Sequence, residues 1–227
     1  MIRALAALAL CAGVATPAAA QCRLALILGL DVSSSVNVTE DTLQRQGLAR
    51  ALVAPEVVAA ILATPTNPVS LAVFEWSGRD QQKILLDWRD LRTTADITDA
   101  AQTIANSRRS YAEFPTAIGS ALEFAATKLR QREGCTFRTV DLSGDGIHND
   151  GTGPQVVYRR DPLFNSVTVN GLIIIGDHAE LLPHYQTTVL HGPGAFLEFA
   201  DGFADFERAM TRKLLREIGS QILGAVQ

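Results

Sequence analysis

Residues 24–35 read LALILGLDVSSS, an apolar run that ends in an aspartate and a group of serines. Leu24 to Leu30 carry no polar side chain, which predicts a strand that is buried on both faces. Strands of this kind lie inside parallel sheets that are covered by helices on both sides. Asp31 to Ser35 are therefore expected at the carboxyl end of a buried strand.

The rest of the chain alternates apolar runs with longer amphipathic stretches, a pattern typical of a doubly wound α/β fold. Five more strands are predicted, at Val69 to Trp76, Lys83 to Trp88, Phe137 to Leu142, Thr168 to Ile175 and Ala195 to Phe199. A short turn through Ser77 to Asp80 joins the second strand to the third, so we expect that pair to be antiparallel. The sequence thus predicts a six-stranded, mostly parallel sheet with one antiparallel edge strand and helices on both faces.

The helices are predicted from Thr39 onward, and at Thr98 to Ser107, Ala117 to Arg130, Gln155 to Arg160, Ala179 to Thr188 and Phe203 to Ile218. Thr39 is expected to cap the first helix, because Glu40 and Asp41 follow it in the first turn. Glu75, Trp76 and Trp88 are interpreted as surface and core residues of a strand pair, without a special role.

The first twenty residues have the composition of a cleaved signal peptide. Arg3 is followed by an Ala- and Leu-rich run to Val14, and three alanines at residues 18–20 provide a cleavage site. We therefore expect residues 1–20 to be removed and residues 21–227 to form a single domain, exported to the periplasm or secreted. The C-terminal residues 222–227 are too few to form a membrane anchor.

The charge balance argues against a nucleic-acid partner. The chain has 20 basic and 24 acidic residues, and it contains no basic cluster of the kind that binds phosphate backbones. The local basic pairs, Arg108-Arg109 and Arg159-Arg160, are interpreted as solvated.

Oxygen-bearing side chains occur at three separate positions where strands end or a helix begins. Asp31, Ser33 and Ser35 follow the first strand, Thr116 precedes the helix from Ala117, and Asp145 follows the fourth strand. In doubly wound sheets, ligands gather beyond the carboxyl ends of the strands. Alternate residues of an extended loop project to the same side, so Asp31, Ser33 and Ser35 can converge on one point.

This set of oxygens suits a hard divalent cation. Mg²⁺ prefers oxygen ligands and usually keeps several waters, so Mg²⁺ is the expected ion, with Mn²⁺ or Ca²⁺ as alternatives. Two carboxylates and three hydroxyls supply little negative charge and leave a position open for an acidic group from outside. That arrangement favours binding over hydrolysis.

The Asp-x-Ser-x-Ser loop at residues 31–35, together with Thr116 and Asp145, resembles the metal-ion-dependent adhesion site (MIDAS) of von Willebrand factor A (VWA) domains. The resemblance extends to the element order of the chain after residue 20 and implies the Rossmann-like VWA fold. It implies that the two serines and Thr116 bind the ion directly, and that Asp31 and Asp145 bind directly or through water. A partner's carboxylate would complete the shell.

The turn Ser143-Gly144-Asp145-Gly146 departs from the Thr-Asp-Gly of many VWA domains and is similar to that of an exported bacterial VWA-like subfamily of unknown function. The roles of the three polar residues that follow it, His148, Asn149 and Asp150, stay open.

The resemblance implies a metal-dependent module that grips an acidic group of a protein or glycan, with Tyr111 and Phe114 as candidates for its rim. The main alternative is a metal-dependent phosphohydrolase, which normally needs a second aspartate where this chain has Ser33. A serine hydrolase would need a Gly-x-Ser-x-Gly elbow, which the sequence lacks. The histidines show no zinc-like spacing. A third possibility is that the loop at residues 31–35 no longer binds a metal ion and serves only as part of the scaffold.

The resemblance also implies a disulfide between Cys22 and Cys135. In VWA domains the first and fourth strands are parallel neighbours, and the cysteines lie at similar distances before Asp31 and Asp145. Both should therefore reach the amino-terminal edge of the sheet, about 4.8 Å apart, within the Cα separation that a disulfide accepts. An oxidising compartment would permit the bond.

Overall fold

The protein, described here as a computed structural model covering residues 22–176 and 180–224, is built on one six-stranded sheet. The predicted signal peptide lies outside the described residues. The strands are β1 (Cys22–Asp31), β2 (Val69–Trp76), β3 (Gln82–Leu91), β4 (Cys135–Gly144), β5 (Thr168–Ile174) and β6 (Leu197–Ala200). They lie in the order β3-β2-β1-β4-β5-β6, and only the β2–β3 pair is antiparallel. The predicted fold class is confirmed.

Helices cover both faces of the sheet. They are α1 (Val38–Leu52), α2 (Pro55–Leu62), α3 (Thr94–Ala105), α4 (Ile118–Leu129), α5 (Pro154–Arg160), α6 (Leu181–His184) and α7 (Phe206–Gly224). Apolar side chains of α1, α2, α3 and α7 pack on one face, and those of α4, α5 and α6 on the other. Along β1, Leu24 and Leu26 point to the first face and Ala25 and Ile27 to the second, as the two-residue period of a strand requires.

Two predicted helix starts were wrong, because capping residues that precede them were not recognised. The cap of α1 is Asn37 rather than Thr39. The Asn37 side chain accepts hydrogen bonds from the backbone N–H groups of Thr39 and Glu40, and Glu40 Oε2 accepts from the Asn37 N–H at 2.8 Å. This reciprocal capping box starts the helix earlier. Thr93 and Asp96 form a similar box, so α3 begins at Thr94 instead of Thr98.

The predicted helix from Ala179 to Thr188 is also irregular. Within the described residues, α6 covers only Leu181–His184, and a π-helical turn continues it over Tyr185–Val189. That turn buries Tyr185 completely, close to Gly144 at the end of β4 and to Gly171 of β5. Between residues 203 and 205 a 3₁₀ turn precedes α7.

A disulfide joins Cys22 to Cys135, as predicted. The two residues are direct partners in the β1–β4 register, with their Cα atoms 4.6 Å apart. The bond lies at the amino-terminal edge of the sheet, opposite Asp31 and Asp145. No helix in the described part of the chain is both long and apolar enough to cross a membrane.

One lysine lies in the core between two carboxylates. Lys213 of α7 is fully buried, with its Nζ atom 3.0 Å from Asp141 Oδ1 on β4 and 2.8 Å from Glu217 Oε1. A buried ammonium is tolerated only when it is paired in this way. The ion pairs tie the last helix to the strand that leads to Asp145.

Candidate metal site

The structure brings the five predicted site residues to one edge of the sheet. Strands β1 and β4 are parallel neighbours, so Asp31 at the end of β1 and Asp145 just after β4 lie at the same edge. Ser35 Oγ donates a hydrogen bond to Asp145 Oδ1 at 2.7 Å, and it lies 3.3 Å from Ser33 Oγ. Thr116 joins Ser35 and Asp145 in lining a cleft of about 190 Å³.

The Asp31 to Ser35 loop folds back on its own aspartate. The backbone N–H of Ser33 donates to Asp31 Oδ1 at 2.8 Å, which is the local turn that aspartate favours. Asp31 and Ser33 are buried and Ser35 is exposed, so the loop leads from the core to the surface. Gln44 Nε2 of α1 donates to the Asp31 carbonyl at 2.9 Å and holds the end of β1.

Glycines on either side of Asp145 make room for the other site atoms. A Cβ at Gly144 would lie 2.9 Å from Asp31 Oδ2 and 2.7 Å from the Tyr185 hydroxyl oxygen. A Cβ at Gly146 would lie 3.1 Å from Thr116 Oγ1. Any larger residue at these positions would push into the space between the carboxylates and the threonine.

The electrostatics of the site are unfavourable without a cation. Burial, followed by the nearby charge of Asp145, raises the pKa of Asp31 to about 7. The Asp31 Oδ2 atom is buried and accepts no hydrogen bond from any described residue. An unpaired buried carboxylate oxygen is costly, and a divalent cation would remove that cost. The residues present therefore fit such an ion.

Thr116 is held in place by a residue whose role the sequence left open. Asn149 Oδ1 accepts from the Thr116 N–H at 2.8 Å, and the Asn149 N–H donates to the Thr116 carbonyl at 3.0 Å. The neighbouring Asp150 forms an ion pair with Arg79, and the His148 N–H donates to His184 Nε2 at 3.1 Å. All three residues thus help to fix the loop after Asp145.

The segment that leads to Thr116 is anchored by a buried acid that was expected to have no special role. Glu75, at the end of β2, is fully buried. Its Oε2 accepts from Arg45 at 2.5 Å and its Oε1 accepts from the Ser110 N–H at 2.9 Å. Arg45 also donates to Ser107 Oγ at 2.8 Å. Glu75 and Arg45 therefore hold residues 107–110 against the sheet.

Arg109, expected to be solvated, donates four hydrogen bonds to backbone carbonyls beside the site. Its guanidinium donates to the carbonyls of Val32, Ser33 and Val36, which belong to the Asp31 loop, and to the carbonyl of Tyr111. Sequence patterns do not reveal this role, because a basic pair on a polar segment looks the same whether it is solvated or bound.

Two clefts meet at Ser35 and Asp145. The smaller one contains Thr116, and the larger, about 520 Å³, has an apolar wall formed by Leu43, Ile174, Ile175 and Phe203. Ile175 is 49% exposed even though its N–H pairs with the Ala200 carbonyl, so an apolar side chain is presented on a fixed backbone. Glu40 lines one cleft and Glu180 the other.

The predicted rim residues lie beside the Asp31 loop. The Phe114 carbonyl accepts from the Ser34 N–H at 2.9 Å, and the Phe114 ring packs edge-on against Tyr111 with centroids 6.1 Å apart. Between them, Glu113 has a φ of 65°, a left-handed conformation that is uncommon for residues other than glycine.

Hydroxyl groups make up three of the five candidate ligands at this edge. In the described ranges, no three His, Cys, Asp or Glu side chains are grouped so that they could hold a metal ion. Here two carboxylates stand beside Ser33, Ser35 and Thr116. A zinc centre of the usual nitrogen and sulfur ligands is thus not formed by these residues.

The sheet order, the single antiparallel edge strand and the flanking helices define a VWA-like fold, and solved VWA structures superpose on it. Proximal thread matrix protein 1 from the mussel byssus, with a zinc-occupied MIDAS motif, matches with a TM-score of 0.61 and 16% identity, over 88% of this chain and 47% of that one. A von Willebrand factor type A protein from Catenulispora acidiphila matches with a TM-score of 0.60 and 15% identity, over 87% and 43%. The open form of the pilus adhesin SpaC from Lactobacillus rhamnosus GG matches with a TM-score of 0.59 and 11% identity, over 88% and 30%.

The chain spans less than half the length of each of these three proteins. It belongs to the family described as "Protein of unknown function (DUF1194)", whose model matches residues 21–222. No curated protein matches the chain.

Proposed function

We propose that this protein is a metal-dependent binding module that grips an acidic group of a partner through a divalent cation. Asp31, Ser33, Ser35, Thr116 and Asp145 would hold the ion. The observation that carries the proposal is the buried Asp31 carboxylate, whose Oδ2 accepts no hydrogen bond from the described residues and which lies close to a second carboxylate. Such a pair is stabilised by a cation between the two acids.

Mg²⁺ is the preferred ion in this proposal, with Mn²⁺ or Ca²⁺ as alternatives. Oxygen ligands suit all three, and carboxylates and hydroxyls suit Mg²⁺ in particular when waters complete its shell. When bound, the ion would act as a Lewis acid that attracts an incoming carboxylate. The mussel protein named for its zinc-occupied MIDAS motif supports the idea that this fold holds divalent ions.

The partner would be a protein or a glycan that presents a carboxylate to the ion. The acidic side chains of Glu40 and Glu180 in the two clefts would repel a broadly acidic surface, so a single carboxylate within a neutral or basic patch fits better. The exposed Ile175 and its apolar cleft wall favour a protein over a glycan, because an aliphatic surface gains most from a hydrophobic side chain.

The same proposal places the mature chain outside the cytoplasm, after removal of residues 1–20. The Cys22–Cys135 disulfide supports this placement, since disulfides persist mainly in oxidising compartments. The neighbours named as a byssus matrix protein and a pilus adhesin are consistent with it.

A phosphohydrolase is less well supported. The position two residues after Asp31 carries Ser33, whose hydroxyl lies 3.3 Å from that of Ser35, where a phosphohydrolase of this kind normally has a second aspartate. A phosphate-release screen of the purified protein tests this alternative, and release that depends on Asp31 would favour it.

The ion site is tested by isothermal titration of the protein with Mg²⁺ and Mn²⁺. We expect the wild type to bind one ion and Asp145→Asn to lose that binding while staying folded. Asp150→Asn is the matched control. It removes a carboxylate from the same loop, but this carboxylate forms an ion pair with Arg79 and is not one of the proposed ligands. If Asp145→Asn binds as the wild type does, the ligand set is wrong.

The binding role is tested by capture of partners from an envelope extract, once with Mg²⁺ and once with a chelator. Partners that are retained by the wild type in Mg²⁺ only, and not by Asp145→Asn, would support the module. Partners that are retained equally with Mg²⁺ and with the chelator, and equally by the wild type and Asp145→Asn, would contradict it.

A further inference from the structure

The Arg109 side chain bridges the two segments that carry the hydroxyl groups of the candidate site. Its Nη1 donates to the Val36 carbonyl at 2.6 Å, and its Nη2 to the carbonyls of Val32 and Ser33 at 2.8 and 3.1 Å. Its Nε donates to the Tyr111 carbonyl at 2.6 Å. One planar group therefore fixes the backbone on both sides of Ser33 and Ser35.

The same group fixes the approach to Thr116. Tyr111 lies on the segment that ends at Thr116, and this segment meets the Asp31 loop directly through the Ser34 N–H and the Phe114 carbonyl. On the other side, the Glu75 carboxylate holds the Ser110 N–H. Arg109 thus connects the loop with Ser33 and Ser35 to the segment with Thr116, while the sheet beneath is held by its own hydrogen bonds and core.

The four hydrogen bonds that Arg109 donates to the described residues all go to backbone carbonyls. The rigid fork of a guanidinium can satisfy several carbonyls at fixed angles, whereas a lysine ammonium acts as a point charge on a flexible stem. The contacts therefore constrain the position of the loop and do more than place a positive charge near Asp31.

A loop held in this way matters for the choice of ion. Mg²⁺ demands near-ideal octahedral geometry at about 2.0–2.1 Å, whereas Ca²⁺ accepts six to eight oxygens at about 2.3–2.6 Å in flexible arrangements. Selectivity between them depends on how rigidly the ligands are held. A loose loop would accommodate the larger ion and lose the smaller one.

We propose that Arg109 is a positioning residue that makes this site selective for Mg²⁺ over Ca²⁺ by locking the Asp31 loop to the segment before Thr116. The proposal rests on the proposed metal-binding function. It predicts that removing the fork weakens Mg²⁺ binding much more than Ca²⁺ binding, although Arg109 itself contacts neither ion.

The test compares Arg109→Gln and Arg109→Lys with the wild type, using Arg108→Gln as the matched control. Arg108 is the exposed neighbour on the same segment. Mg²⁺ and Ca²⁺ dissociation constants are measured separately by isothermal titration, and thermal unfolding in a chelator reports the stability of each ion-free variant. Loss of a group that orients metal ligands typically costs about 10–100-fold in affinity.

We expect Arg109→Gln to lose about tenfold or more in Mg²⁺ affinity with a much smaller loss for Ca²⁺, so that the ratio of the two constants shifts towards Ca²⁺. Arg109→Lys should show the same shift because it keeps the charge but not the fork, and Arg108→Gln should behave as the wild type. If Arg109→Gln fails to fold, Arg109→Lys decides the question.

Several results would overturn the proposal. Equal losses for both ions would show a merely structural role, and a wild-type ratio in Arg109→Lys would show that charge alone matters. If the wild type binds the ions and both Arg109 variants bind them unchanged, this inference fails while the proposed function stands. If the wild type binds neither ion, the proposed function fails, and this inference with it.

Discussion

Replacing Asp31 with asparagine should separate the cost of its buried charge from its use as an ion ligand. The substitution keeps the shape of the side chain and an oxygen that can still accept the Ser33 N–H at 2.8 Å. It removes the charge that lies fully buried near Asp145. In a chelator, the variant should therefore respond to pH differently from the wild type.

The magnitude follows from the raised pKa. Folding moves the pKa of Asp31 from 3.8 to about 7, and each pKa unit is worth about 1.4 kcal/mol. Because the folded-state pKa is the higher one, the folded protein loses stability as pH rises above the unfolded value, and the full cost of about 4 kcal/mol is reached above about pH 7. About 2 kcal/mol of it should develop between about pH 5.5 and about pH 8.

The assay is urea unfolding of both proteins in a chelator at these two pH values. The free energy of unfolding of the wild type, relative to Asp31→Asn, should fall by about 2 kcal/mol from the lower to the higher pH. Comparing the change with pH cancels any constant cost of burying the amide. Saturating Mg²⁺ at the higher pH should then stabilise the wild type and leave the variant unchanged.

Asp99→Asn, an exposed change on α3, serves as the control and should reproduce the pH dependence of the wild type. A difference between wild type and Asp31→Asn that stays constant with pH would refute the reasoning, because it would mean that folding does not raise the pKa of Asp31.

Three further outcomes are expected. Gly146→Val should lower Mg²⁺ affinity in isothermal titration with little change in melting temperature, because the new side chain enters space 3.1 Å from Thr116 Oγ1; unchanged affinity would mean that this space is not part of the site. Replacing Cys22 and Cys135 together by alanine should lower the free energy of unfolding in urea by up to about 5 kcal/mol, since the bond closes a 113-residue separation; an unchanged midpoint would contradict this. Lys213→Met should cost about 3–5 kcal/mol in the same assay because it removes the ammonium that pairs with the buried carboxylates of Asp141 and Glu217; a loss below about 1 kcal/mol would contradict a stabilising role of these ion pairs.

Local features predicted the sheet and which residues lie at the carboxyl ends of its strands. A run without polar side chains at Leu24 to Leu30 has to be buried, and the turn before Lys83 is too short for a parallel crossover. Helix starts were less accurate, because Asn37 and Thr93 take part in capping boxes whose acidic partners also fit the first turn of a later helix.

Asp31, Ser33, Ser35, Thr116 and Asp145 could be selected from the sequence since each lies next to a strand end or a helix start, where position in the chain implies position in the sheet. The pairing of Cys22 with Cys135 followed from the resemblance to VWA domains, which implies that the first and fourth strands are neighbours, and from distances counted along those two strands.

The roles of the residues that support the candidate site could be seen only in the tertiary structure. Arg109, Glu75 and Asn149 act through partners that are about 30 to 77 residues away in the chain. Hydrophobic periodicity reports which face of an element is buried, but it carries no information about which distant carbonyl a polar side chain will meet. That choice is made only when the loops at the end of the sheet pack together. The sequence could therefore propose the ligands of the candidate site, whereas the groups that hold the candidate residues appear only in the tertiary structure.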